Sequence, residues 1–364
     1  MMICSNANAA ISMAALPWRL KLPVVHGGRL SRSNTKRQSV KFRAAAKHEV
    51  NASSFEDVER RIREIIDAKA EVKLSIAELS SGFCNSVYSV ETDAGDKLVV
   101  KVYSDLSLLR TEKQQRGVID IMASECGLGP AVRWNTNEGV AHNFVPGRIL
   151  EEQDMHTRHD IGEACARLVA KFHSLKTPPE FDEDGPLIWK WLKRMLNEIE
   201  SSGNKAVLPV DVSELRAEVN RAFEVIRDEE NVCIVLAHGD LKPSNVILTQ
   251  SDSSQVQLID LELAGPNYRG FDLMKLFRTS HDHYSEEHFR HFLKVYCDEM
   301  GKVDVASVEA ETKLFLPVSW LEATIFFALV LVLEPQGSDD HASWEALFLD
   351  RWRQYQESAK DIWL

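Results

Sequence analysis

The stretch His238-Gly-Asp-Leu-Lys-Pro-Ser-Asn-Val-Ile-Leu248, followed closely by Val256-Gln-Leu-Ile-Asp-Leu-Glu262, constrains this chain more than any other feature. It sets a carboxylate, Asp240, a short loop ahead of an amide, Asn245. A second carboxylate, Asp260, ends an apolar run. Phosphoryl transfer asks for such parts: a carboxylate to align a hydroxyl, oxygen ligands for a hard cation, and a cation on the phosphates. Asp240 is placed to accept the hydroxyl proton. Asn245 offers a neutral oxygen and Asp260 an anionic one, as Mg²⁺ prefers. A loop in which Asp240 and Asn245 merely cap turns is the competing reading, and the strand that delivers Asp260 argues against it.

The upstream partners follow in order. Lys101 lies within the apolar run Leu98-Val-Val-Lys-Val-Tyr103. An ammonium there is costly unless paired, so Lys101 is expected to hold ATP phosphates. A lysine on an edge strand, pointing to water, is the competing reading. A helix expected over Leu106–Cys126 carries Glu112, the expected partner of Lys101. The loop Ser80-Ser-Gly-Phe-Cys-Asn-Ser86 should cover the phosphates, with Gly82 and Asn85 as nucleotide contacts; it is not a full G-x-G-x-x-G.

Around these residues the pattern reads as a small strand-rich half followed by a helical one. A helix over Phe55–Lys69 precedes β-type runs at Lys73–Ser80, Ser86–Glu91 and Lys97–Tyr103. Shorter runs follow at Ala131–Trp134 and Val140–Val145, and Pro146-Gly147 punctuates. Helices are expected at His159–Leu175, Leu187–Ser201, Val212–Asp228, Asp272–Thr279, Ser285–Met300, Val318–Leu333 and Ala342–Ala359. The β runs Val232–Ala237, Val246–Leu248 and Val256–Ile259 interrupt them.

Charge divides the chain differently. Nine of its 43 Lys and Arg residues, and none of its 55 Asp and Glu, fall within residues 1–48. A basic, Ser-containing, acid-free leader is expected to be a plastid transit peptide; a mitochondrial leader and a cytosolic tail are the competing readings. The remaining chain is acidic, which argues against non-specific nucleic-acid binding. The six cysteines show no C-x-x-C spacing and read as isolated thiols in a reducing compartment. The uninterrupted apolar run Ala323–Leu333 falls short of the ~20 residues a bilayer span needs and reads as a core helix. His281, His283, His288 and His291 cluster without cysteines or an H-E-x-x-H, so they are expected to be solvated and not a zinc site. Oligomeric state stays open.

With these residues in view, the segment Ile259-Asp-Leu-Glu-Leu-Ala-Gly-Pro-Asn-Tyr-Arg-Gly-Phe-Asp272 resembles the matching stretch of the choline/ethanolamine kinases. Ser81–Ser86, Phe144–Arg148 and Trp320–Leu333 are similar to that family too. The resemblance covers about residues 75–335. It implies an α+β, two-lobed protein-kinase-like fold, shared with aminoglycoside phosphotransferases. A small β-rich N-lobe would span 50–147 and a larger, mostly helical C-lobe 148–364. It implies transfer from ATP, with Mg²⁺, to a primary alcohol. Asp240 would be the catalytic base, Asn245 and Asp260 the metal ligands, Lys101 the phosphate contact and Glu262 a further acidic ligand. Asp272 would brace the catalytic loop.

The departures bear on the acceptor. Gly239 stands where choline kinases commonly carry Asn. Ala328 and Leu331 stand where they carry tryptophans, and Leu276-Phe-Arg-Thr-Ser280 lacks their carboxylate. Choline or ethanolamine is the leading acceptor, a cationic small molecule that Trp320, Phe327 and Glu322 could line. Another small alcohol is the runner-up. Asp260-Leu-Glu262 is not D-F-G and no activation segment follows, which disfavours a protein kinase. A non-catalytic nucleotide-binding protein of the same fold is the remaining class. The joint presence of Lys101, Asp240, Asn245 and Asp260 argues against it.

Overall fold

The computed structural model describes residues 55–81, 85–181, 185–204, 207–249, 255–278, 285–333 and 340–363. The expected leader, Gly82, His281 and His283 lie outside the described residues.

Helix α1 (Phe55–Ile65) buries Ile62 and Ile65, neighbours on one stripe, and Ile66 just beyond its end joins them. They pack on an antiparallel sheet built from β1 (Leu74–Ser81), β2 (Asn85–Thr92) and β3 (Lys97–Tyr103). Leu98, Val100 and Val102 alternate along β3 into this core with Val90. Period-two alternation therefore turns Lys101 to the opposite face. Lys101 pairs in register with Val87 on one side and Val140 on the other. Its strand is thus central in the sheet, not an edge.

The single helix expected over Leu106–Cys126 is broken in two. Ser104 caps α2 (Asp105–Arg110), its side chain accepting from the Ser107 N–H. The chain turns extended at Thr111 and Glu112 and makes one 3₁₀ turn over Lys113–Gln115. It restarts as α3 (Val118–Glu125) after Gly117, whose φ of +70° is left-handed. Strands β4 (Val132–Asn135) and β5 (Gly139–Asn143) complete the sheet in the order β1-β2-β3-β5-β4.

Beyond β5 the chain leaves this sheet. Strand β6 (Gly147–Ile149) pairs with a strand of the second half, and Arg148 forks onto Asp154 at 2.6 and 2.8 Å. That bidentate pair fixes the joint at the start of α4 (Asp154–Thr157).

The second half is built on helices α5 (His159–His173), α6 (Leu187–Ser201) and α7 (Val212–Arg227), then strands. Strands β7 (Ile234–Ala237), β8 (Val246–Thr249), β9 (Val256–Leu258) and β10 (Gly265–Tyr268) form two small sheets, β7–β10 and β6-β8-β9. Helices α8 (Arg269–Arg278), α9 (Glu286–Glu299), α10 (Val305–Leu314), α11 (Leu316–Leu333) and α12 (His341–Trp363) close the lobe. Sequence pattern did not indicate β6, β10 or α10.

Helix α11 is apolar on every side and runs longer than the uninterrupted run suggested, because Pro317 sits in its first turn, where proline is tolerated. By length and composition, Val305–Leu333 could cross a membrane, yet 78% of its most apolar window is buried in the protein. It is the spine of the C-lobe core, with Trp320, Leu321, Ile325 and Leu329 each at most 1% exposed. Its neighbours are α6, α8 and α12.

Candidate active site

The catalytic loop hangs from the end of β7. Gly239, with φ of +80°, sits so close to the chain that a Cβ there would lie 2.3 Å from the Leu263 carbonyl oxygen. Asp272, fully buried, accepts from the backbone N–H of His238 and, at 2.9 Å, from that of Gly239. His173 Nε2 donates to the same carboxylate at 3.2 Å and is itself held by the Tyr296 hydroxyl. This is the bracing role expected of Asp272, with His173 added.

A second set of bonds brings the loop to β9. His238 Nε2 donates to the Ile259 carbonyl at 2.9 Å, and the Ile259 N–H donates to the Asn245 carbonyl at 3.0 Å. Asn245 Nδ2 donates to the Asp240 carbonyl at 2.8 Å and to its carboxylate at 3.3 Å. No hydrogen bond among the described residues takes the Asn245 amide oxygen. Asp260 follows directly, in the left-handed region at φ +64°. Such a conformation costs a non-glycine residue ~1–3 kcal/mol and gathers at functional sites. Asp240, Asn245 and Asp260 thus converge.

Cations surround both aspartates. Asp240 accepts from Lys242 at 2.9 Å and Lys275 at 2.7 Å. Burial pushes the Asp240 pKa upward, but the two ammonium groups outweigh it and hold the carboxyl well below its ordinary value. Lys101, buried on its central strand, reaches across to Asp260 and, at 2.7 Å, to Glu262. Burial would lower the Lys101 pKa, yet these two carboxylates raise it well above the ordinary value. Asp260 shows the mirror effect: burial raises its pKa, and Lys101 more than offsets that.

Three expected assignments change. Glu112 falls in the break between α2 and α3, where its extended backbone cannot present it from a helix to Lys101. It pairs instead with Arg194 and, at 3.1 Å, with Lys190, both on α6. Glu262 takes the place expected of Glu112. Its carboxylate, 7% exposed, accepts from Asn85, from Ser107 Oγ at 3.0 Å, from Arg110 at 3.4 Å and from Lys101. So engaged, Glu262 anchors the N-lobe and is not an open metal ligand. Asn85 spends its amide on Glu262 and on the Ser104 N–H, so it braces the site from the strand end.

The lining expected for a cation also differs. Glu322 is bound to Lys275 at 3.1 Å, and Trp320 carries the guanidinium groups of Arg278 and Arg351 within 5.2 Å of its ring centroid. Lys275 escaped the sequence reading although it lies in the apolar run Leu273-Met-Lys-Leu-Phe277. The argument that singled out Lys101 applies to it equally.

The donors fit a hard divalent cation: a free amide oxygen on Asn245 and a carboxylate on Asp260. The described residues hold no group of three or more His, Cys, Asp or Glu side chains that could hold a metal ion, so the protein donors here are one carboxylate and one amide.

The choline/ethanolamine kinase family model matches residues 76–319. The chain belongs to the choline/ethanolamine kinase family. A probable ethanolamine kinase of Arabidopsis thaliana is 25% identical over 305 residues, 78% of this chain and 79% of its own. A choline/ethanolamine kinase of Mus musculus is 22% identical over 65% of this chain and 66% of its own. Among solved structures, choline kinase from Cryptosporidium parvum superposes with a TM-score of 0.67 at 16% identity, covering 85% of this chain and 96% of that one. A GDP complex of an aminoglycoside 2'-phosphotransferase gives 0.54 at 14% identity over 83% and 97%. The fold is therefore the two-lobed protein-kinase-like one, and this family member is a phosphotransferase with an alcohol group as acceptor.

Proposed function

We propose that this protein transfers the γ-phosphoryl group of ATP, with Mg²⁺, to the hydroxyl of a small primary alcohol. The observation that carries the reading is the convergence of Asp240, Asn245 and Asp260 beneath Lys101. Asp240 orients the acceptor hydroxyl and receives its proton. Its depressed pKa keeps it ionised at neutral pH. Lys101 holds nucleotide phosphates from the N-lobe side, and Lys242 adds positive charge beside the reacting hydroxyl. Asn245 and Asp260 would hold the Mg²⁺, which when bound neutralises phosphate charge.

The relatives' names make choline and ethanolamine the reference acceptors. A different small alcohol is the second reading. It is favoured by Lys275 on Glu322 and by the two guanidinium groups at Trp320, which occupy the places expected to receive an ammonium. Incubation with γ-labelled ATP, Mg²⁺ and each alcohol tests the reaction. Label in a small-molecule product supports it, and label in none of them, with ADP release no higher than from an Asp240→Asn control, contradicts it.

We also propose that residues 1–48 direct the chain to plastids, on their acid-free basic composition. A fluorescent protein fused behind residues 1–60 should enter plastids. Cytosolic or mitochondrial fluorescence contradicts the proposal.

A further inference from the structure

Arg278 stands apart from the other cations near Asp240 and Trp320. Lys275, one turn earlier on α8, is neutralised by Asp240 at 2.7 Å and Glu322 at 3.1 Å. Arg351 is bonded to Asp350. Arg278 donates from Nη1 to the Ser319 carbonyl, but its buried Nε has no partner. No carboxylate among the described residues lies within ion-pair distance of it. Its guanidinium lies 4.7 Å from the Trp320 ring centroid, and that of Arg351 lies 5.2 Å from the same ring. Burial comes first among the influences on Arg278 and, with Arg351 reinforcing it, pulls its pKa below the ordinary arginine value despite Glu322. Lys275, three residues earlier on the same helix, binds Asp240, so α8 sets Arg278 one turn from a residue in contact with the catalytic carboxylate.

A guanidinium offers five donors in a fork that fits a carboxylate or a phosphate. A buried donor left without a partner is costly; such atoms recur among the described residues, and Arg278 Nε is the one on α8, one turn from the lysine that binds Asp240. An aromatic face can hold an ammonium group, but the Trp320 ring already meets two cations.

We infer that the acceptor alcohol carries an anionic group, a carboxylate or a phosphate, which Arg278 binds beside Trp320 while the hydroxyl lies against Asp240. This rests on the phosphotransfer reading above and narrows its substrate class. The hydroxyl oxygen forms a bond to the γ-phosphorus, and the bond from that phosphorus to the β–γ bridging oxygen breaks. ADP leaves with the electron pair, and the hydroxyl proton passes to Asp240. The anionic group takes no part in the electron flow. It fixes the alcohol in place, and like-charge repulsion from Arg278 and Arg351 disfavours choline and ethanolamine.

The test uses the full chain with ATP and Mg²⁺. The acceptors are D-glycerate and sn-glycerol 3-phosphate as anions, glycerol as the neutral control, and choline and ethanolamine as cations. An anionic acceptor should exceed glycerol and both cations in kcat/KM by at least about tenfold. Arg278→Gln should raise KM for that anion at least about tenfold while leaving kcat, and glycerol turnover, within about threefold. Arg351→Gln, monitored with it for folding by thermal melting, should move KM in the same direction. Preference for choline or ethanolamine overturns the inference, as does an unchanged KM in folded Arg278→Gln. ADP release that depends on Asp240 but that neither anionic alcohol stimulates overturns the acceptor assignment alone. No Asp240-dependent turnover with any acceptor overturns the reaction itself.

Discussion

The carboxylate that holds Lys101 is Glu262, and this exchange of partners decides what two substitutions do. Glu262→Gln removes the charge on which Lys101, Arg110, Ser107 and Asn85 converge. Leaving Lys101 with one partner should raise KM for ATP at least about tenfold, since breaking a buried charge pair costs ~3–5 kcal/mol. Glu112→Ala breaks pairs whose groups are about one-third exposed, worth no more than ~1 kcal/mol. It should leave KM for ATP within about threefold of wild type. Steady-state kinetics of the two variants checks the assignment, and the reverse ranking contradicts it. The aspartates also set a pH dependence. Asp240 and Asp260 both have folded pKa values below the ordinary 3.8. The stability they add is fully present above that value and is lost as pH falls through their folded values. Lys101 has the opposite sign: its contribution is present below 10.5 and is lost as pH rises through its higher folded value. Urea melts from pH 5 down to 2 should therefore lose less midpoint in Asp240→Asn than in wild type. Equal losses contradict the depressed pKa.

At the scale of elements, Gly239 joins the end of β7 to the catalytic aspartate in a shape only glycine takes easily. Gly239→Ala would force a Cβ to within 2.3 Å of a carbonyl oxygen and strain a φ of +80°. We expect a loss of at least about 2 kcal/mol in unfolding free energy, read from the urea midpoint at constant slope. A loss under about 0.5 kcal/mol, typical of surface changes, contradicts the packing. Elements with strong periodicity were legible in sequence: the alternation of β3 and the helical stripes of α5, α6 and α7. The misses have physical causes. One helix was expected over Leu106–Cys126, but the chain turns extended at Thr111 and restarts only after Gly117 in the left-handed region. Strand β10 reads Gly-Pro-Asn-Tyr, a turn-like composition that its partner β7 overrides. Helix α10 did carry a signal, Asp304 capping the Ser307 N–H, without an apolar stripe strong enough to match it.

On the scale of the molecule, the chain lays the site across two lobes. Lys101 and Asn85 come from the N-lobe sheet, while Asp240, Asn245, Asp260 and Glu262 come from loops of the C-lobe. The convergence of Lys101, Asp240, Asn245 and Asp260 was readable, because spacing and burial cost point to each of them singly. The partners of Glu262, Lys275 and Arg278 were not: those of Glu262 depend on α2 and the N-lobe sheet meeting the loop after β9, and those of Lys275 and Arg278 on which faces of α8 and α11 meet. The most direct test of the central claim is phosphoryl transfer by Asp240→Asn beside wild type, with folding and nucleotide binding followed in the same samples. ATP with Mg²⁺ at 100 times its dissociation constant should stabilise both proteins by about 2.7 kcal/mol. The account predicts that the variant keeps this stabilisation and loses ~10²–10⁴-fold in kcat. A folded, nucleotide-binding variant that turns over like wild type would contradict it.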